Sequence, residues 1–155
     1  MSKKKFVKKE LRMYKGSSPL SEKLINYIMK DGKKNTARKI YFHMLKEIKK
    51  QHMNPQIVVD TAVENASPNV MIKSKRLGSV YQVPVEVKPH RRMFFACKWM
   101  LDSARGKRGK PMYEKLADEM LASYSDQGYA CKKKEDAHKM AEANKAYAYM
   151  AKYIN

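Results

Sequence analysis

The sequence predicts a mainly α-helical domain: six helices with a protruding two-stranded β-hairpin and a basic N-terminal arm. Three observations predict it. Apolar residues recur at helical spacing on both sides of one central stretch. Ser18-Pro19 and Asn54-Pro55 each pair a capping residue with proline at a first helical position. Between Val70 and Lys88 the pattern instead reads as two extended runs split by Gly78-Ser79, the residue choice of a tight hairpin turn. With 155 residues the chain has room for one core. Residues 1–17 are therefore read as an arm, and residues 18–155 as a single domain with its hairpin at about 70–88.

In the arm, Lys3, Lys4, Lys5, Lys8, Lys9, Arg12 and Lys15 face one acid, Glu10, with Phe6, Val7, Leu11, Met13 and Tyr14 interleaved. Such a run cannot bury a core, so it is expected to be disordered when free and ordered on a partner. A first helix follows Ser18, with Leu20, Leu24, Ile25 and Ile28 on one stripe, and Gly32 is expected to end it. Lys33 and Lys34 lie just beyond. Asn35 or Thr36 is expected to cap a second helix striped by Ile40, Tyr41, Met44, Leu45 and Ile48. The third runs from Pro55 to about Ala66. Its β-branched Ile57, Val58 and Val59 would suit a strand, but the cap and the later Ala62 and Val63 decide for helix.

A two-residue turn at Gly78-Ser79 predicts the pairs Leu77–Val80, Arg76–Tyr81, Ser74–Val83, Ile72–Val85 and Val70–Val87. Side chains alternate across strands. One face would then hold the valines and Ile72 at its base and Arg76 beside Tyr81 near its tip. The other would hold Lys73, Lys75, Gln82 and Pro84. A lone ribbon is marginal in water, so one that projects with cations along it is expected to lie on something.

Pro89 opens a fourth helix containing Met93, Phe94, Phe95, Ala96, Trp99, Met100 and Leu101, expected to be the most buried. His90, Arg91 and Arg92 crowd its first turn, where cations oppose the helix dipole. Their placement is better explained by phosphates than by helix stability. Arg105, Lys107, Arg108 and Lys110, with Gly106 and Gly109, read as a flexible basic loop. A fifth helix spans about Met112 to Ser125, and a sixth runs from about Lys133 to Tyr153.

The formal charge of +19 implies strong self-repulsion unless a polyanion neutralises it. Nucleic acid is the first expectation and acidic membrane the second. No apolar run approaches the ~20 residues of a membrane span, and neither a signal-peptide core nor the amphipathic pattern of a transit peptide is visible. Cys97 and Cys131 form no CxxC or Cys/His spacing, so they read as two reduced thiols, one of them buried, with no metal site. The four histidines fit no catalytic spacing, and there is no phosphate-binding nucleotide loop and no nucleophile elbow. No enzyme and no cofactor are expected. Five cation clusters on one small domain suit several helices of a folded RNA, read through backbone and shape.

The stretches KSKRLGSVYQVPVEVKPHRR and ACKWML resemble the small-subunit ribosomal proteins of the universal seventh family in its bacterial and organellar form. INYIMKDGKKNTARKIYFHML, AVENASPNV and GYACKKKEDAHKMAEANKAYAY are similar to the family's other blocks, so the resemblance runs from about Leu20 to Tyr149. It implies a structural constituent of the small subunit that binds ribosomal RNA directly and nucleates folding of the 3′ major, or head, domain. Carried over by position, Lys73, Lys75, Arg76, Arg91 and Arg92 would grip rRNA, as would Lys33, Lys34 and the arm. Arg105, Lys107 and Arg108 join them on charge alone.

The resemblance also implies that Leu77, Gly78, Ser79, Val80 and Tyr81 form a tip near messenger RNA and exit-site transfer RNA. Asn144 and Tyr147 would meet a neighbouring protein of the head or platform. The tip is one residue shorter than the family's usual one, and the ending AYAYMAKYIN replaces the family's basic aromatic tail. No membrane partner and no homo-oligomer are expected. Lys outnumbers Arg about four to one, a composition that favours an organelle, mitochondrion ahead of plastid, with the bacterial cytoplasm as the alternative. Two other classes compete with this reading. A free RNA chaperone or messenger repressor would bind single strands without preference. An RNA-modifying enzyme would need a cofactor loop or an acid/base pair.

Overall fold

Among the described residues, six α-helices wrap one core, and a two-stranded ribbon inserted between the third and fourth projects from it. The computed structural model describes residues 18–51 and 54–153. The expectations for the arm, Lys3, Lys4, Lys5 and Arg12 among them, lie outside the described residues. The helices are α1 (Pro19–Ile28), α2 (Lys34–Lys49), α3 (Pro55–Asn65), α4 (Pro89–Gly106), α5 (Met112–Tyr124) and α6 (Tyr129–Ala143). The strands are β1 (Val70–Leu77) and β2 (Ser79–Glu86), and a 3₁₀ segment, Lys145–Tyr153, closes the order.

Local chemistry sets most boundaries. Ser18 Oγ accepts from the Ser21 amide at 3.1 Å, and Pro19 supplies the first turn of α1. Pro55 and Pro89 open α3 and α4 in the same position, although Asn54 makes no side-chain cap. α1 stops at Ile28, earlier than Gly32. Asp31 and Gly32, both at positive φ, form the turn into α2. That helix begins at Lys34, with Lys33 rather than Asn35 or Thr36 at its cap and no side-chain cap bond.

The core is built from Leu24, Ile25, Met44, Ile48, Val59, Met100, Leu116 and Met120, all essentially solvent-free. Burial of such side chains supplies about 1.5–3 kcal/mol each. α5 packs against α2, α3, α4 and α6. The expectation that α4 is the most buried helix fails. Met93, Phe94, Phe95 and Trp99 are only half-buried, and the deep residues are Ala96, Cys97, Met100, Leu101 and Ala104. Both thiols are buried and free, not one. A polar seam ties three helices: Ser21 Oγ lies 2.8 Å from Tyr41 Oη, which also donates to Gln56 Oε1 at 3.2 Å.

Two further expectations are corrected. The last helix is not continuous to Tyr153; α6 ends at Ala143. Asn144 Nδ2 donates to the Met140 carbonyl at 2.8 Å, and the chain continues as the 3₁₀ segment. A side chain that bonds nearby backbone offers the chain an alternative to another α turn. The ribbon register is also shifted by one residue. The observed pairs run from Val70–Glu86 through Ile72–Pro84, Ser74–Gln82 and Lys75–Tyr81 to Leu77–Ser79. The reversal centres on Gly78 alone, at φ +75, a backbone state costly for any residue with a Cβ. The slip regroups the faces. Tyr81, Val83 and Val85 now share a side with Lys75, Lys73 and Met71, while Pro84 and Gln82 lie with Ile72 and Ser74.

Candidate nucleic-acid interface

Ribbon and α4 together enclose a cationic concavity. Val87 N–H donates to the Asn69 carbonyl at 2.9 Å, closing the ribbon base directly before Pro89 starts α4. β2 therefore leads into the helix through two residues. The result is a groove of about 540 Å³ between the ribbon and the first turns of α4. Lys73, Lys88, His90 and Arg91 line it together with Phe94 and Phe95. Arg91 lies over the Phe94 ring, 5.7 Å from its centroid.

The two arginines of this turn divide their work. Arg91 is exposed. Arg92 Nε donates to the Val87 carbonyl at 2.9 Å, and its Nη2 meets Glu86 Oε1 at 3.0 Å. Arg92 thus staples the ribbon base to α4, and its charge is shared with an acid before any ligand arrives. Along the ribbon, Lys73 and Arg76 are exposed and Lys75 is half-buried opposite Tyr81. At the tip, Gly78, Ser79 and Val80 are open to solvent, Val80 being 66% exposed. Tyr81 is not open. Its ring lies 5.5 Å from that of Tyr147 in the 3₁₀ segment.

The other predicted cations separate in the same way. Lys33 is exposed, but Lys34 reaches the buried Glu22 at 3.2 Å, with Arg38 3.8 Å from its other oxygen. Lys107 meets the buried Glu119 at 3.1 Å, and Ser103 Oγ donates to the same carboxylate oxygen at 2.6 Å. Arg105 belongs to α4 rather than to a loop, and its Nη2 donates to the Tyr27 carbonyl at 3.3 Å. Arg108 is exposed in the short connection to α5. Sequence reading missed Glu22 and Glu119. Each is buried and lies twelve residues from its lysine, where no helix periodicity relates the two.

Among the described residues there is no group of three or more metal-ligating side chains, and no helix is long and apolar enough to cross a membrane. The free thiol of Cys97 is pushed up to about 12 by burial, and that of Cys131 is also raised, again mainly by burial. Neither suits nucleophilic chemistry.

The described residues form a helical scaffold with an inserted basic ribbon. The model of the family described as ribosomal protein S7p/S5e matches residues 1–145, and this chain belongs to that family. It is similar to the small ribosomal subunit protein uS7 of Halorhodospira halophila, at 44% identity over 87% of this chain and 88% of that one. It is 47% identical to the uS7 of Alkalilimnicola ehrlichii and 48% identical to that of Pseudothermotoga lettingae. These matches cover 87% and 86% of this chain and 88% of each relative. The family is structural and not enzymatic, and its place is the small subunit of the ribosome, among ribosomal RNA and ribosomal proteins.

Proposed function

We propose that this chain is a primary rRNA-binding protein that nucleates folding of the 3′ major domain, the head of the small subunit. The observation that carries the reading is the convergence of Lys73, Lys88, His90 and Arg91 on one groove beside the ribbon. Their charges replace counterions on phosphates, so affinity should fall with salt by ~0.7–0.9 log units per log unit of salt for each phosphate neutralised. Arg76, Lys75, Lys33, Arg105 and Arg108 extend the positive surface. Lys34, Lys107 and Arg92 serve it mainly by holding the scaffold.

The open tip, Gly78 to Val80, is proposed to approach messenger and exit-site transfer RNA. The surface around Asn144 and Tyr147 is proposed to meet a neighbouring head or platform protein. Tyr147 is already engaged by Tyr81, so such a neighbour would touch ribbon and tail together. The relatives named above are bacterial, which supports a bacterial setting ahead of the mitochondrial one that composition favours. Fractionation of the source cells decides between them. The function is tested by nuclease footprinting on the chain's own small-subunit rRNA with a salt titration of binding. Protection confined to a head-domain junction, with a steep salt slope, is the expected result. A flat salt response or scattered protection overturns it.

A further inference from the structure

The groove between the ribbon and α4 has a floor that phosphate binding alone does not require. Met71, Val85, Phe94 and Phe95 line it beneath the cationic rim of Lys73, Lys88, His90 and Arg91. The rings of Phe94 and Phe95 lie 5.5 Å apart at 67°, and both are half-buried rather than sealed in the core. They continue a row that runs from Tyr27, 5.7 Å from Phe94, to Trp99, 5.8 Å from Phe95. The single acid of the groove, Glu86, is neutralised by Arg92 at 3.0 Å. The rim is thus wholly positive towards an incoming anion, and the floor is apolar and aromatic.

We propose that this groove takes one unpaired nucleotide of the bound RNA, its base against the Phe95 ring, next to the Phe94 ring that Arg91 and Lys98 already overlie, and its phosphate on the rim. The proposal rests on the rRNA-binding reading and deepens it. Charge complementarity selects a polyanion, and the floor selects which part of it. Bases inside an A-form helix are stacked and out of reach of side chains, whereas bulged or junction bases can be splayed onto aromatic rings. Every base presents a π-face, so such a floor selects for unpairedness rather than for sequence. A helix backbone lying on the rim would leave the floor unused. An apolar side chain from a neighbouring protein would leave the cations unused.

The test uses the full chain and two synthetic RNA hairpins of equal charge. One is fully paired; the other carries a single bulged 2-aminopurine. The expected result is about tenfold tighter binding of the bulged hairpin, the scale of one base stacked on an aromatic ring. Quenching of the 2-aminopurine on binding is also expected. Phe95→Leu, which keeps bulk and removes the ring, should cut the preference to about twofold or less, while Phe42→Leu on α2 should retain it. Equal wild-type affinity for the two hairpins, or a probe that stays bright when bound, overturns the proposal and leaves the rRNA reading standing. Failure to bind either hairpin, together with a flat salt response on rRNA, overturns both. The fluorescence arm needs no variant, so a misfolded Phe95→Leu would not remove the test.

Discussion

Tyr81 of the ribbon and Tyr147 of the C-terminal 3₁₀ segment lie ring to ring, their centroids 5.5 Å apart and their planes at 59°. This contact joins the outer half of a projecting hairpin to the last turn-rich stretch described. A ribbon of two strands has little stability alone, so it gains rigidity from β2 lying along that segment and β1 along α6. Tyr147→Ala is expected to cost about 0.5–1.5 kcal/mol, the scale of an aromatic pair. Amide exchange should accelerate in Lys75–Tyr81 more than in the helices. Uniform exchange changes would show that the pair does not brace the ribbon.

Mutation should separate the cations proposed to contact rRNA from those that pair with buried acids. Arg76→Ala and Arg91→Ala are each expected to lower the salt slope of rRNA binding by ~0.7–0.9, with stability within about 0.5 kcal/mol of wild type. Lys34→Ala and Lys107→Ala are expected to show the opposite balance. Their partners, Glu22 and Glu119, are buried, yet both lysines are partly exposed. Solvent screening limits each cost to about 1 kcal/mol. Filter binding and urea denaturation on the four variants check the division.

Glu119 is the more consequential member of its pair. Besides Lys107, it accepts from Ser103 Oγ at 2.6 Å and from the Ala130 amide at 3.2 Å, so it joins α4, α5 and the start of α6. Glu119→Ala leaves a buried amide without a partner and removes the counter-charge. A loss of about 3 kcal/mol is expected, read as a shift of the urea midpoint at constant slope.

Gly128 is required by proximity rather than by its backbone angle. A Cβ there would stand 2.5 Å from Ser123 Oγ, 3.0 Å from Glu119 Oε1 and 3.1 Å from the Ser123 amide nitrogen. Gly128→Ala is expected to cost about 1–3 kcal/mol as overpacking. Ser123→Ala in the same chain should recover part of that loss, because it removes the nearest atom. A double-mutant cycle measures the recovery, and strict additivity would refute the contact.

At the ribbon root, the Asn69 amide donates to His138 Nε2 at 3.1 Å, and Lys134 Nζ donates to the Asn65 carbonyl at 2.5 Å. Burial, then the nearby Lys134 charge, lowers the pKa of His138 below its ordinary 6.5. The neutral ring is the form the fold uses. A depressed folded-state value means that this contribution to stability is complete above about pH 6.5. It is lost as pH falls through the lower, folded-state value. The urea midpoint of wild type should therefore drop between about pH 7.5 and 5.5 more than that of His138→Gln. Parallel curves would refute the linkage.

Chain punctuation was legible because it is local. Ser18-Pro19, Pro55 and Pro89 announce helix starts through neighbours a few residues away. The ribbon's existence was legible for the same reason, but its register was not. Val70, Met71 and Ile72 are three consecutive apolar residues, so β1 offers either face to the base, and periodicity cannot choose between registers one residue apart. The split of the last helix went unseen because Asn144 sits in an alanine-rich run with no proline or glycine to mark a stop. The ribbon and the Arg91-Arg92 turn were legible as two separate basic clusters, but not that one groove is lined by both. That Arg92, Lys34 and Lys107 already hold acids depends on tertiary contacts, which charge counting cannot supply.

The reversal at Gly78 bears on what the finger can enter. Because Leu77 and Ser79 are already paired, the leading end is only one interstrand spacing across in the plane of the ribbon, ~4.8 Å. Inserting one residue beside Gly78 would widen this prow without altering a single charge.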